Sequence, residues 1–369
     1  MATDPISPEV TPRQRVAVGL SLLSLVALAP LAVALACQPA EDHSVKPQKP
    51  VELKGDVKAP PAAVPAAPLD PMPRRLWTQP GAPAKKVADA LRAQNPDDAA
   101  LLDRMAKTPA GVWLGGWTKD PKKTVASIVA EAARTSAVPV LVAYNIPNRD
   151  CGQHSAGGKA DGKSYLTWIS EVAAGVGSGD AIVVLEPDAL TQLDCLTAAQ
   201  REERLGLLRA AVTTFQDHPG ARVYLDGGHP DALSVTEMAA RLDEAGVHQS
   251  RGFALNVSNF VSTKKNILYG DQVARILGDD LRYVIDTSRN GHGANGEWCN
   301  PFGRALGEDP TLNPGLRRGD AFLWVKRPGE SDGTCHGGPA AGQFWGGYAL
   351  ELAKAAWEPE LPAVVDATR

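Results

Sequence analysis

The stretch VVLEPDAL (183–190) ends an apolar, strand-like run on two acids, Glu186 and Asp188, with Pro187 between them. The pattern returns elsewhere. Asp150 follows the run 138–144 in NIPNRDC, Asp226 follows VYL, and Asp286 follows YVI. The run 321–325 leads into KRPGESDG, with Lys326, Glu330 and Asp332. One Asp at a strand end is as well explained as a helix N-cap or a turn residue. Acids at five or six strand ends point instead to a shared site. Gathered carboxylates raise one another's pKa, so that one stays protonated near neutral pH. Such a cluster suits acid-assisted cleavage of a glycosidic bond; it also suits Mg²⁺ or Ca²⁺. Tryptophan tilts the choice toward sugar. The chain has 8 Trp against 6 Tyr and 6 Phe, and Trp113, Trp117, Trp298, Trp324 and Trp345 lie beside these loops. Indole faces are flat apolar platforms for sugar rings; at least half of these five are expected to be core residues instead.

The acids meet only if the fold brings the strand ends together. Strand-like runs cover 111–115, 138–144, 181–185, 222–225, 252–255, 283–285 and 321–325. Helix-like stretches at 122–135, 164–176, 198–215, 234–245 and 272–277 separate many of them. This alternation predicts a parallel sheet covered by helices. Seven strands in one region suit an α/β barrel; an open doubly wound sheet is the alternative. In a barrel all C-terminal strand ends converge on one face, where catalytic groups gather.

At 369 residues the chain has room for about two domains or one large α/β domain. A hydrophobic share of 44% and a charged share of 22% describe a soluble globular body. The net charge of −4 offers nothing to a polyanion, so no nucleic-acid partner is expected. Arg13 and Arg15 precede an apolar run from Val16 to Cys37, broken by Pro30 and closed by Ala34-Leu35-Ala36. It reads as a signal sequence with an A-x-A cleavage site, as an uncleaved membrane anchor, or as a lipoprotein leader with the lipid on Cys37. A lipobox prefers Leu where Ala34 stands. Each outcome leaves the remainder outside the cytoplasm. The Pro/Ala-rich stretch 38–73 is an extended linker, and the folded part starts near Arg74. Beyond Cys37, the even set Cys151, Cys195, Cys299 and Cys335 in an exported chain suggests two disulfides. No pair has C-x-x-C spacing and no His sits at ligand spacing, so no zinc site is expected. GHGANG (291–296) has no helix obviously following it, which argues against a dinucleotide loop. VGSGD around Ser178 lacks the outer glycines of a nucleophile elbow. NVS at 256–258 matches a glycosylation sequon.

Seven segments are similar to those of glycoside hydrolase family 6, the inverting β-1,4-glucanases (cellulases). They are YNIPNRDCGQHSAGG, VVLEPDAL, YLDGGH, GFALNVSNF, YVIDTSRNG, EWCNPFGRALG and WVKRPGESDG. They run in family order from about Trp113 to Trp345. The resemblance implies a distorted seven-stranded parallel α/β barrel. It implies that Asp188 is the general acid, and that Asp150 raises the pKa of Asp188 and serves the proton path. Asp332 is the usual candidate for the base, with indirect activation of water as the rival. Asp226 would shape the charge network and bind substrate, and Tyr144 would lie beneath the distorted sugar. Trp113, His229, Asn256, Trp298, Lys326 and Glu330 would bind the glucan, and Glu186 would support the site from beneath. The implied disulfides are Cys151–Cys195 and Cys299–Cys335. Two departures stand out. Family members carry an aromatic where GHPDAL has Ala232, so a platform on the leaving-group side is missing. TSRNGHGANGEWCN is short, resembling endo-acting members with open clefts.

The reading is therefore an exported catalytic domain over 74–369, preceded by a leader or anchor (1–37) and a linker (38–73). It is an endo-acting β-1,4-glucanase with no cofactor and no metal, expected to be monomeric, with an N-terminal membrane tether among the outcomes above. The rivals are a catalytically impaired glucan-binding protein of the cell surface and a hydrolase of another β-glucan.

Overall fold

The computed structural model describes residues 75–278 and 280–358. The expected leader or anchor (1–37), Cys37 and the linker (38–73) lie outside the described residues. Seven strands are found among them: β1 (Val112–Leu114), β2 (Val140–Ala143), β3 (Ala181–Leu185), β4 (Ala221–Asp226), β5 (Gly252–Leu255), β6 (Arg282–Asp286) and β7 (Gly319–Leu323). They pair in parallel, in the order β1 to β7. Helices α1 (Pro83–Leu91) and α2 (Pro96–Lys107) precede the sheet. The helices α3 (Pro121–Arg134), α4 (Gly162–Val176), α5 (Ala198–Phe215), α6 (Val235–Glu244) and α7 (Thr263–Leu277) each follow one of β1 to β5, and α8 (Gly346–Trp357) closes the fold.

The strands are apolar on both faces, as a parallel sheet sandwiched between layers requires. Residues alternate between two clusters. Val140, Val142, Ile182, Val184, Tyr224, Ala254, Val284, Ala321 and Leu323 pack together on one face. Leu141, Val183, Leu185, Val223, Leu225, Phe253 and Ile285 pack on the other against helix residues such as Val125, Ile169, Leu208, Leu242 and Val273. The curled sheet is drawn together without a β1–β7 ladder among the described residues. Gly111 N–H donates to the Trp324 carbonyl at 2.8 Å, and the Trp113 indole donates to the Val325 carbonyl at 2.9 Å. A Cβ on Gly111 would stand 2.3 Å from the Val325 oxygen, so this seam needs glycine.

Local chemistry sets the helix starts. Asp161 with Ser164, and Thr197 with Gln200, form capping boxes for α4 and α5. Asp120 caps α3 ahead of Pro121, and Ser234 caps α6. The structure departs from expectation at three places. Helix α7 is longer than 272–277, because polar Asn266 is a core residue whose amide donates to the carbonyls of Val261 (2.9 Å) and Ser262 (3.1 Å). Strand β7 sits two residues earlier than 321–325, where a register irregularity falls at Tyr283/Val284. Helices α1, α2 and α8 were not anticipated; they form a separate cluster around Trp324 and Leu306, off the repeating strand–helix alternation.

Candidate active site

The loops at the C-terminal strand ends enclose a cavity of about 1010 Å³. Asp150, Asp188, Glu330 and Asp332 line it, together with Trp113, Tyr144, His229, Trp298 and Lys326. Residues spread over most of the folded chain thus converge on one face.

Pro187 lies between two residues with left-handed backbone, Glu186 (φ 50°) and Asp188 (φ 66°). Non-glycine residues rarely adopt that conformation, and such strain gathers at functional sites. The two carboxylates go to different places. Glu186 is fully buried and accepts the N–H groups of Asn145 (2.9 Å) and Ile146 (3.0 Å), tying the end of β3 to the loop after β2. Burial pushes its pKa up to about 7, against the pull of those N–H groups. Asp188 faces the cavity, and its own N–H donates to Asp226 Oδ2 at 2.9 Å. Burial, and after it the negative charge of Asp150, push Asp188 up to about 6, while Lys326 draws it down.

Asp150 is held to the loop that carries Asp188. Its carboxylate accepts the Ser155 N–H (2.6 Å) and the Gln192 side-chain amide (3.2 Å). Gln192 follows Asp188 in the same loop, and the disulfide Cys151–Cys195 fastens the two loops a second time.

Asp332 has the opposite surroundings. Burial alone would raise its pKa, but Arg289 and Lys326 prevail and hold it below the ordinary carboxylate range. The fully buried Arg289 donates to Oδ2 at 2.7 Å, the Asn300 N–H donates to the same oxygen at 3.1 Å, and Lys326 Nζ lies 3.5 Å from Oδ1. Asn300 Oδ1 accepts the Asp332 N–H at 2.7 Å, beside the disulfide Cys299–Cys335. One cleft therefore holds a carboxyl displaced toward its neutral form and another kept as an anion. Environments that push two carboxyl pKa values apart assign acid and anion roles.

Three expected site residues lie beneath the cleft rather than on its wall. Asp226 is almost fully buried and acts on Asp188 through the backbone. Burial, then the negative charge of Asp188, raise its pKa well above the ordinary value, against the pull of the Asp188 and Gly228 N–H groups. Asp286 accepts main-chain N–H groups from Ser258, Ser288 and Lys326 (3.0 Å each) and from Val325 (3.2 Å), pinning three loops. Asn256, expected to touch glucan, is fully buried; its amide donates to the Asp286 carbonyl (2.8 Å) and accepts the Val261 N–H (3.0 Å). An asparagine so engaged presents nothing to a sugar, and the sequon there is inaccessible to glycosylation. His229 does line the cleft, and burial lowers its pKa while the charge of Asp231 opposes the shift. Ala232 is exposed and offers no ring.

Sequence reasoning missed the groups that hold the acids and the ring. Arg149 donates to the Tyr144 carbonyl (2.7 Å) and the Ser155 carbonyl (2.8 Å), and its guanidinium lies 4.4 Å from the Tyr144 ring centre. With Trp113 meeting the same ring edge-on at 5.3 Å, Tyr144 is fixed from two sides. Arg289, Gln192 and Asn300 were missed likewise. All but Gln192 stand inside the quoted segments, and a cation next to a strand-end acid was the available signal.

Comparison with known proteins bears on the same residues. The sequence profile of Glycosyl hydrolases family 6 matches residues 73–356. Endoglucanase A of Cellulomonas fimi is 48% identical over 269 residues, 72% of this chain and 58% of its own length. Endoglucanase 1 of Streptomyces halstedii is 42% identical over 296 residues, 77% of this chain and 90% of its own. This chain thus spans little more than half of the first relative and nearly all of the second. The solved structure of the endoglucanase Cel6 from Mycobacterium tuberculosis, in complex with methyl-cellobiosyl-4-deoxy-4-thio-β-D-cellobioside, superposes with a TM-score of 0.73 at 45% identity. The match covers 76% of this chain and 97% of that one. Strand order, paired carboxylates and a match running almost the length of the described residues place this chain in glycoside hydrolase family 6.

Proposed function

We propose that this chain hydrolyses internal β-1,4-glucosidic bonds with inversion at the anomeric carbon. The observation that carries the reading is the opposed displacement of two carboxyl groups in one cleft, Asp188 upward to about 6 and Asp332 downward. Asp188 gives its proton to the glycosidic oxygen as the bond to the anomeric carbon breaks. Water attacks from the opposite face, forming the new C–O bond, and releases its proton toward the carboxylates. Inversion asks for roughly 6.5–9.5 Å between acid and base, leaving room for that water. Asp332 Oδ2 is already engaged by Arg289 and Asn300. Oδ1 remains to take the proton directly or through a second water, with Asp150 as the other acceptor in the cleft. Tyr144, fixed beneath the sugar, favours a distorted ring on the way to the oxocarbenium-like transition state. The endoglucanase relatives and the thio-oligosaccharide held by the solved relative support a β-1,4-glucan as substrate.

The test is hydrolysis of cellohexaose followed by NMR. Release of α-anomers first, loss of activity in Asp188→Ala with the fold retained, and rapid viscosity loss of carboxymethylcellulose are expected. First-formed β-anomers, or an active Asp188→Ala, overturn the mechanism. Exposed Ala232 favours a second substrate, a mixed-linkage β-glucan that binds less on the leaving-group side; relative kcat/KM on the two polymers decides. We read the domain as exported, a reading supported by its two disulfides. Mass spectrometry of the mature N-terminus separates cleavage after Ala36, a lipidated Cys37 and an intact anchor.

A further inference from the structure

We propose that Trp117 is a sugar platform that recognises an additional glucosyl unit on the Trp113 side of the cleft. Trp117 is the most exposed large apolar side chain among those described, at 57%. It lines the catalytic cavity. A tryptophan kept for packing is normally covered, because its large apolar surface is what stabilises the fold. This one is held in place but left open. Its indole N–H donates to the Trp113 carbonyl at 3.3 Å. Its ring rests on Gly115, where a Cβ would come within 2.5 Å of the ring carbons. The Arg149 guanidinium lies 5.4 Å from the ring centre, near enough for a cation–π contact. A flat apolar surface fixed in orientation gains most from a ligand with a flat apolar face, and it forfeits little side-chain freedom on binding. The C–H face of a β-linked glucose is such a face, and successive glucosyl units of one chain reach successive platforms.

The proposal rests on the glucanase reading, and the experiment separates the two. Initial rates on cellotetraose and cellohexaose are compared for the wild type, Trp117→Ala, Trp117→Phe and Gly115→Ala. Trp117→Ala is expected to raise KM for cellohexaose about tenfold while kcat stays within about twofold, the signature of lost uniform binding. The penalty is smaller on cellotetraose. Trp117→Phe restores most of the affinity. Gly115→Ala, which displaces the ring without removing it, reproduces the length-dependent loss. Equal losses on both lengths, a loss in kcat instead of KM, or no loss at all overturns the platform. Calorimetric binding of cellohexaose to Asp188→Asn, with and without Trp117→Ala, measures the same contact without turnover: weaker binding on removal of the ring is expected, and equal binding overturns the platform. If the wild type releases no reducing ends, the glucanase reading fails, and this binding difference still decides for or against Trp117.

Discussion

Replacing Asp150 by Asn tests the electrostatics that makes Asp188 an acid. The substitution removes one negative charge and keeps the shape, and the Asn oxygen still accepts the Ser155 N–H. Asp188 is displaced from 3.8 to about 6, a difference worth roughly 3 kcal/mol. Burial is the largest cause, Asp150 the second, and Lys326 opposes both. Burial persists in the variant, so the expected fall is about 1 pKa unit, or ~1.4 kcal/mol. The sign follows from the role of Asp188. It must be protonated to act, so kcat/KM falls as pH rises through its pKa, and the alkaline limb moves from about pH 6 to about pH 5. At pH 6 the protonated share drops from about one half to about one in eleven, a roughly fivefold loss from this cause alone. The assay is the pH profile of kcat/KM on cellohexaose. The position of the limb is read rather than the height of the curve, because the proposed mechanism also lets Asp150 accept the proton of the attacking water. An aryl cellobioside with a good leaving group, which needs little protonation, is the control and should show a weaker limb in both proteins. An alkaline limb that stays put or moves upward refutes the assignment of Asp150 as the charge that tunes Asp188.

Arg289→Met leaves Asp332 buried without its closest cation. Breaking a buried pair costs about 3–5 kcal/mol, and at about 2–4 °C per kcal/mol the melting temperature should fall by roughly 6–20 °C at pH 7. Because the folded pKa of Asp332 is lowered, its stabilisation is present above the unfolded value of 3.8 and is lost as pH falls through the folded value. The gap between variant and wild type should therefore narrow in scans below about pH 4; a gap independent of pH contradicts the pairing. Asp188→Asn should act in the other direction. The raised pKa of Asp188 stabilises the fold fully below 3.8, and that stabilisation is lost as pH rises through about 6. The inactive variant should gain about 1–3 kcal/mol over wild type at pH 7 and nothing near pH 4, measured by denaturant titration. Reduction of the disulfides reopens loops with sequence separations of 44 and 36. Chain entropy assigns each about 4 kcal/mol. Cys151→Ser/Cys195→Ser should also flatten the pH profile by loosening Asp150; an unchanged profile separates the loop's stability from its role in tuning Asp188.

The strand–helix alternation was legible because its physics is local. Apolar runs such as AIVVL can only be buried on both faces, and capping boxes at Asp161 and Thr197 start helices within four residues of sequence. Helix α8 and the pair α1 and α2 were not legible. Their stability comes from packing on one another and on Trp324 from the far end of the chain, and no local pattern announces such a contact. The first part of α7 was not legible for the same reason, since the polarity of Asn266 is satisfied inside the helix start rather than by solvent.

The strand-end acids show where sequence reading stops within the site itself. Position at a strand end selects residues near the cleft but not their depth. Asp150, Asp188, Glu330 and Asp332 reach the cavity, whereas Glu186, Asp226 and Asp286 turn under it and accept backbone N–H groups. Glu186 and Asp188 differ by two residues, share a left-handed backbone and have opposite destinations. What separates them is the supply of partners: two free N–H groups after β2 for Glu186, and a cavity beside another carboxylate for Asp188. The lower layer has a catalytic consequence. Asp226 and Asp286 fix the main chain at Asp188, which carries the proton, and at Lys326, whose charge draws the pKa of Asp188 down. Buried acids beneath the cleft therefore set the geometry on which the pKa of Asp188 depends, and the seven carboxylates act as two layers of one site.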